Sequence, residues 1–292
     1  MDTPKPQNRI GLSALTPNFG AEIGGVDISR PLADETMADI AAAFASHGVI
    51  ALRNRRLEPG DLVAFSRGFG KLVPPTDTEY LLPGHPDVMA VGNVNIEGKV
   101  RSFFHNAKEE WHTDLIQMQK PNVATLLYAV ETPPSGGETR FADTRRAYDD
   151  LSEGTKTELD GLRVVYDIRI FDQEMRRHDP DRPPLSQEKL DRHPPVSHPL
   201  VRTHPVTGAR ALYFAPEVMS HVEGWSREAS KLLITDLLAH ATQPHYLYEH
   251  HWRVGDVVIW DNRSTLHTAT PFEADKYKRL LYRTLMAPEV PV

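Results

Sequence analysis

At 292 residues with 40% apolar side chains, the chain can close a substantial core as one large domain or two ordinary ones. Its net charge of -7 and pI near 6.1 argue against a dedicated nucleic-acid binder, and its lack of cysteine excludes a disulfide framework, a thiolate metal site and a cysteine nucleophile. The opening Met1-Asp2-Thr3-Pro4-Lys5-Pro6 lacks a signal peptide's apolar segment and no run reaches bilayer-spanning length, so a cytoplasmic protein is expected, with any metal held by His, Asp or Glu.

Two alternating runs, 10–15 and 21–28, flank Thr16-Pro17-Asn18-Phe19-Gly20 and predict an opening hairpin. From Asp34 as N-cap, Met37, Ile40, Ala41 and Phe44 recur at helical spacing, Gly48 stops the helix, and 48–52 is an apolar strand. A second helix is expected from Pro59. Prolines and glycines make 73–86 loop-like and place His85-Pro86-Asp87 in a rigid turn, after which 88–94 resumes as a strand. The apolar run 123–130 leads into Pro133-Pro134-Ser135-Gly136-Gly137-Glu138-Thr139, a tight turn between two strands.

Between 167 and 195 apolar residues thin out among Arg, Asp, His and Pro. This reads as a long loop or insert, a lid, a subunit contact or a solvated excursion. Segments 199–203 and 210–214 flank His204-Pro205-Val206-Thr207-Gly208 as a hairpin, and Ser226 caps a helix whose Leu233, Ile234, Leu237, Leu238 and Ala241 form one core-facing stripe. The final third is strand, turn, strand, at 246–253, 257–260, 266–269 and 280–286, with His245, His250 and His251 expected on exposed strand positions. One domain over 1–292, rich in strands with helices packed outside, is the expected architecture.

The candidate chemistry begins at Trp111-His112-Thr113-Asp114. On an extended backbone His112 and Asp114 project from the same face and could grip one ion. The same His-x-acid spacing recurs at His85/Asp87 and His221/Glu223, so spacing alone does not choose among the three. His267, after the turn Trp260-Asp261-Asn262-Arg263, is the candidate third ligand. Two histidines and a carboxylate make a facial triad suited to non-haem Fe(II), although zinc accepts the same ligands. Arg279 and Arg283 fall in register on one face of the last strand, where buried guanidinium groups need anionic partners; exposed surface arginines are the alternative.

As an ordered set, His112-x-Asp114, the 133–139 turn, Trp260-Asp261-Asn262-Arg263, His267 and the Arg279/Arg283 pair resemble the Fe(II)- and 2-oxoglutarate-dependent dioxygenases typified by taurine dioxygenase and 2,4-dichlorophenoxyacetate dioxygenase, over roughly residues 10–286. The resemblance implies a mainly β (α+β) double-stranded β-helix, a cupin-like jelly roll with flanking helices. It implies that His112, Asp114 and His267 bind Fe(II), that 2-oxoglutarate chelates the same ion, and that O2 is the second co-substrate. Arg279 and Thr139 would hold the distal carboxylate of 2-oxoglutarate, and Arg283 either the anionic group of the prime substrate or part of the 2-oxoglutarate pocket.

Within the family, taurine enzymes carry a histidine and an asparagine where this chain has Pro75 and Lys108, which disfavours taurine. Pro199-Leu200-Val201-Arg202-Thr203-His204, Ser220-His221-Val222-Glu223-Gly224, the 141–149 segment and Lys99 look closer to the aryloxyacetate branch, while a second lysine of that branch is replaced near Thr78. Lys99, Lys108, His221 and Arg283 are therefore the candidate substrate contacts. The expected partner is a small anionic organic substrate, with no nucleic acid or membrane and a homo-oligomeric assembly. A sulfonate or alkyl-sulfate dioxygenase shares the same core. From other classes, a non-catalytic metal-binding cupin-like protein and a zinc hydrolase remain as alternatives; the hydrolase lacks an obvious general base and leaves Arg279 unexplained.

Overall fold

The computed structural model describes residues 10–73, 75, 78–100, 102–103, 110–178 and 183–291. The chain opens with β1 (Gly11–Ala14), β2 (Ala21–Gly24), α1 (Asp34–His47), β3 (Val49–Leu52), α2 (Pro59–Arg67), β4 (Leu81–Leu82) and β5 (His85–Gly92). Short strands β6 (Asn95–Ile96), β7 (Lys99–Val100) and β8 (Ser102–Phe103) precede β9 (Asn122–Glu131) and β10 (Thr139–Asp143). Next come α3 (Thr144–Asp149), α4 (Glu153–Leu159), β11 (Arg163–Tyr166), α5 (Ile168–His178) and α6 (Gln187–Arg192). They lead into β12 (Val196–Pro199), β13 (Val201–Thr203), β14 (Arg210–Leu212), β15 (Met219–Val222) and α7 (Arg227–Ala241). The chain closes with β16 (Leu247–His250), β17 (Val257–Asp261), β18 (Thr265–Ala269) and β19 (Leu280–Pro288).

Nine of these strands form one sheet in the order β1-β2-β3-β17-β9-β19-β5-β4 with β8 beside β5, and β16-β10-β18 form a smaller sheet. The residue pattern of β17 shows why the large sheet is a middle layer. Val257 and Ile259 join Ile40, Phe44, Leu62 and Phe65 of the two N-terminal helices on one face, while Val258 and Trp260 meet Phe141 and Tyr248 of the small sheet on the other. A strand buried on both faces needs a continuous apolar run, and each such side chain contributes about 1.5–3 kcal/mol on leaving water. Helix α7 packs with β11, β12 and β15 in a third cluster that includes Ile234, Leu237, Val164 and Val222.

The opening hairpin, both early helices and the 201–212 hairpin form as expected, and Ser226 accepts a hydrogen bond from the Ala229 N–H at 3.1 Å. The 133–139 turn lies between β9 and β10 as expected, and these strands belong to different sheets. Three expectations change. Ala33, not Asp34, caps α1, and Asp34 lies in its first turn, where a carboxylate favours the positive helix end. His85-Pro86-Asp87 begins β5 instead of forming a turn, with Leu82 paired to His85. Segment 167–195 is not a loop: it holds α5 and α6, the latter capped by Ser186, whose hydroxyl accepts from the Lys189 N–H at 3.2 Å. Among the described residues, no helix is long and apolar enough to cross a membrane.

Candidate active site

The Trp111-His112-Thr113-Asp114 stretch is not a strand. His112 makes a single two-way bridge to His267, its N–H donating to the His267 carbonyl at 3.0 Å and the His267 N–H donating back at 2.8 Å. This sets the two imidazoles with centroids 4.1 Å apart. The chain then turns, bringing Asp114 Oδ1 to 3.9 Å from His112 Nε2 and Oδ2 to 3.8 Å from His267 Nε2. One ligand atom from each of the three side chains lies within 4.8 Å of the others, a spacing that could hold a metal ion. His112 Nδ1 donates to the Glu110 carbonyl at 2.9 Å, which leaves Nε2 its lone pair. The His267 ring is gripped by packing, 4.7 Å from Trp260 and stacked at 6.3 Å on Phe141.

Behind Asp114 stands a buried polar cluster that the motifs did not reveal. Thr125 on β9 donates to Asp114 Oδ2 at 2.6 Å, and Asn262, at the start of the turn that follows β17, accepts the Asp114 N–H at 3.2 Å and donates to Thr125 at 3.0 Å. Burial raises the pKa of Asp114, but His267, Arg283, His112 and the Thr125 bond outweigh it, so the carboxyl stays below its usual range. Burial, helped by His112, pushes His267 down to about 3, so it is neutral and able to donate a lone pair. Burial acts the same way on His112, but Glu217, with Oε2 4.0 Å from Nδ1, and Asp114 carry it above the ordinary histidine value.

Arg279 and Arg283 are separated by more than register. Arg283 lies within β19, with Nη1 3.9 Å from Asp114 Oδ1 and Nη2 on the Met89 sulfur at 3.0 Å. Arg279 precedes the strand, its backbone N–H donating to Asn93 Oδ1 at 2.8 Å and its Nε to the Gly137 carbonyl at 3.1 Å. Gly137 adopts φ 71°, and a Cβ there would stand 3.1 Å from the Arg279 side chain. Thr139 follows on β10, two residues before the Phe141–His267 pairing and so on the same sheet face as His267, with its Oγ1 accepting from Trp252 Nε1 at 3.0 Å.

A family model described as "Taurine catabolism dioxygenase TauD, TfdA family" matches residues 12–285. The chain belongs to this family. It is similar to the alpha-ketoglutarate-dependent 2,4-dichlorophenoxyacetate dioxygenase of Burkholderia sp. (strain RASC), at 32% identity over 286 residues, covering 95% of this chain and 94% of that one. It is similar to the alpha-ketoglutarate-dependent sulfate ester dioxygenase of Pseudomonas putida, at 31% identity over 283 residues, covering 94% of this chain and 88% of the relative. The crystal structure of AAD-2 in complex with Mn(II) and N-oxalylglycine superposes with a TM-score of 0.80 at 28% identity, covering 97% of this chain and 98% of that one. This TauD/TfdA-family chain is an Fe(II)- and 2-oxoglutarate-dependent dioxygenase that uses O2, built on a mainly β, cupin-like jelly roll with flanking helices.

The dioxygenase has a cavity of about 260 Å³ that reaches His112 and Asp114. Ile168, Phe171 and Leu185, all from the 167–195 segment, line it, together with Lys189 and Glu217. His221 is on β15, paired with Val165 and with Nδ1 3.0 Å from the Ser220 hydroxyl, and does not line this cavity. Lys99 lies on β7, but its side chain, like all of Lys108, is outside the described residues. His250 is fully buried, not exposed: its Nε2 is 3.1 Å from Asp256 Oδ2 and its Nδ1 2.7 Å from the Tyr248 hydroxyl. His245 and His251 are exposed, but neither is on a strand: His245 lies in the short helical turn Pro244–Tyr246 and His251 follows the end of β16.

Proposed function

We propose that His112, Asp114 and His267 hold the Fe(II), that Arg279 and Thr139 receive the distal carboxylate of 2-oxoglutarate, and that the enzyme hydroxylates a small anionic substrate of the aryloxyalkanoate type. Arg279 carries the assignment. It is 7% exposed, and although burial lowers its pKa to about 10 it is a cation at neutral pH. Among the described residues no carboxylate pairs with it within 4.0 Å. Glu138 acts on it only at longer range, a buried guanidinium without a paired anion is costly, and a dicarboxylate co-substrate would supply that pair. Thr139 accepts from Trp252, which leaves its own O–H to donate to the same carboxylate.

Two imidazole nitrogens and one carboxylate fit Fe(II) and leave positions open for co-substrates. Iron bound there supplies O2 activation coupled to conversion of 2-oxoglutarate to succinate and CO2, with one oxygen atom passing to a substrate C–H bond. If that carbon bears an ether oxygen, the hydroxylated product is a hemiacetal and the ether bond cleaves. In an aryloxyacetate the acid group is one bond from the attacked carbon, so its receptor must stand beside the iron ligands. Arg283, 3.9 Å from Asp114, fills that role. The apolar wall of Ile168, Phe171 and Leu185 suits an aryl body, and the 167–195 segment then serves as a pocket wall. The sulfate ester relative, at nearly the same identity, supports an alkyl-sulfate substrate as the second reading. A cytoplasmic homo-oligomer belongs to the same proposal; the cysteine-free composition suits a reducing compartment, and light scattering tests the assembly.

Anaerobic reconstitution with Fe(II) and 2-oxoglutarate, then a succinate-release screen on exposure to O2, tests this reading. Aryloxyacetates or aryloxypropionates should stimulate release, and His112→Ala should lose both Fe(II) binding and turnover. Stimulation by alkyl sulfates alone replaces the first reading with the second. Full activity in His112→Ala overturns the metal assignment.

A further inference from the structure

Asp114 has two carboxylate oxygens, and a facial triad works with 2-oxoglutarate only if the carboxylate spends one of them on the metal. We propose that the Thr125 hydroxyl, locked by Asn122 and Asn262, holds Asp114 in one-oxygen ligation and so keeps a coordination position open for 2-oxoglutarate. This rests on the assignment of Asp114 to the iron made above.

The argument is one of counting donors and acceptors. A threonine hydroxyl has one proton and two lone pairs. Both lone pairs of Thr125 Oγ1 are taken, by Asn122 Nδ2 at 2.9 Å and Asn262 Nδ2 at 3.0 Å. The single proton can therefore point only to Asp114 Oδ2, at 2.6 Å. The Asn262 amide cannot turn over, because its Oδ1 accepts from the Trp260 indole N–H at 3.0 Å and from the Asp114 backbone N–H at 3.2 Å. Asn122 is tied by a second bond, from Nδ2 to the Ala124 carbonyl at 3.1 Å. Thr125, Asn122 and Asn262 are each at most 2% exposed, so water does not compete for these bonds. Oδ2 is thus committed to a short charge-assisted bond, and Oδ1 is the oxygen left for the ion. Without the hydroxyl Oδ2 is released from that bond, and a two-oxygen grip, which would occupy a site that 2-oxoglutarate needs, is opposed only by the more distant Arg283, 3.9 Å from Oδ1.

The test separates metal binding from co-substrate binding. Mn(II) is titrated calorimetrically into wild type, Thr125→Val, Thr125→Ser and Asn122→Ala, and 2-oxoglutarate is then titrated into each Mn(II)-loaded protein. Thr125→Val is expected to weaken 2-oxoglutarate binding to the Mn(II)-loaded protein by about tenfold, about 1.4 kcal/mol, and to weaken Mn(II) binding by less than that. Thr125→Ser, which keeps the hydroxyl, should restore 2-oxoglutarate affinity. Asn122→Ala touches neither Asp114 nor the ion, but it frees a lone pair and lets the hydroxyl rotate, so it should show the same split at smaller size. Equal weakening of Mn(II) and 2-oxoglutarate, or no change in either, overturns the proposal and leaves Thr125 a packing residue. If wild type binds Mn(II) no better than His112→Ala, the metal assignment itself falls and the proposal with it.

Discussion

Asp261 shows how a wholly buried carboxylate stays charged. It takes Arg263 Nε at 2.8 Å and Nη2 at 2.7 Å, and His204 Nε2 stands 3.0 Å away. Burial pushes its pKa up, but these bonds and charges more than offset that and hold it far below the carboxylate range. Because the folded value lies below the unfolded one of 3.8, this stabilisation is fully present above that pH and is lost as pH falls through the folded value. Asp261→Asn should cost about 3 kcal/mol by urea denaturation at neutral pH, and the gap from wild type should narrow only below the ordinary carboxylate range. At the proposed co-substrate site, Arg279→Ala should raise the KM for 2-oxoglutarate by about tenfold to a hundredfold, the worth of a charge-assisted pair, while Fe(II) binding is retained. An unchanged 2-oxoglutarate requirement would remove Arg279 from the pocket. Arg279 could be picked out from the sequence because it falls in register with Arg283 on the last apolar run, and the family resemblance implies its role. Thr125 and Glu217 could not: Thr125 sits unmarked inside the apolar run of β9, Glu217 acts on His112 far along the chain, and neither residue type signals a site by itself.

At the level of elements, legibility followed burial. Val49–Leu52 and residues 257–260 announce themselves as continuous apolar runs because both faces are covered. His250 was misread because its burial depends on Asp256 and on Arg53 of a distant segment, which satisfy its ring and the carboxylate beside it. Helices α5 and α6 were hidden because much of their surface is charged and only a few apolar residues, Phe171 among them, turn inward. The pairing of β5 with β19 carries a further hidden requirement. Gly92 ends β5 at φ 153°, and a Cβ there would come within 1.8 Å of the Arg279 carbonyl oxygen. Gly92→Ala should therefore part the strand ends, lower stability by about 3 kcal/mol in chemical denaturation and raise the 2-oxoglutarate requirement as Arg279 shifts. Wild-type behaviour in both measurements would show that the strand ends yield freely.

For the whole molecule, a strand-rich architecture with helices outside is legible in the apolar runs and turns, whereas the jelly roll follows only from the family resemblance of the ordered site motifs. Which strands share a sheet was not legible, since β10 lies between β16 and β18 although the chain enters it from β9 of the other sheet. His112 and His267 come from opposite halves of a chain with no cysteine. An ion gripped by both is thus a reversible cross-link that closes a loop of more than half the protein, and long loops are where such a clip restricts the unfolded chain most. At a hundredfold excess over Kd, Mn(II) should add about 2.7 kcal/mol and raise Tm by several degrees, with His112→Ala showing no rise. The same ion that prepares the enzyme for oxygen would then also serve as its fastener, making iron supply a determinant of how long the protein survives proteolysis.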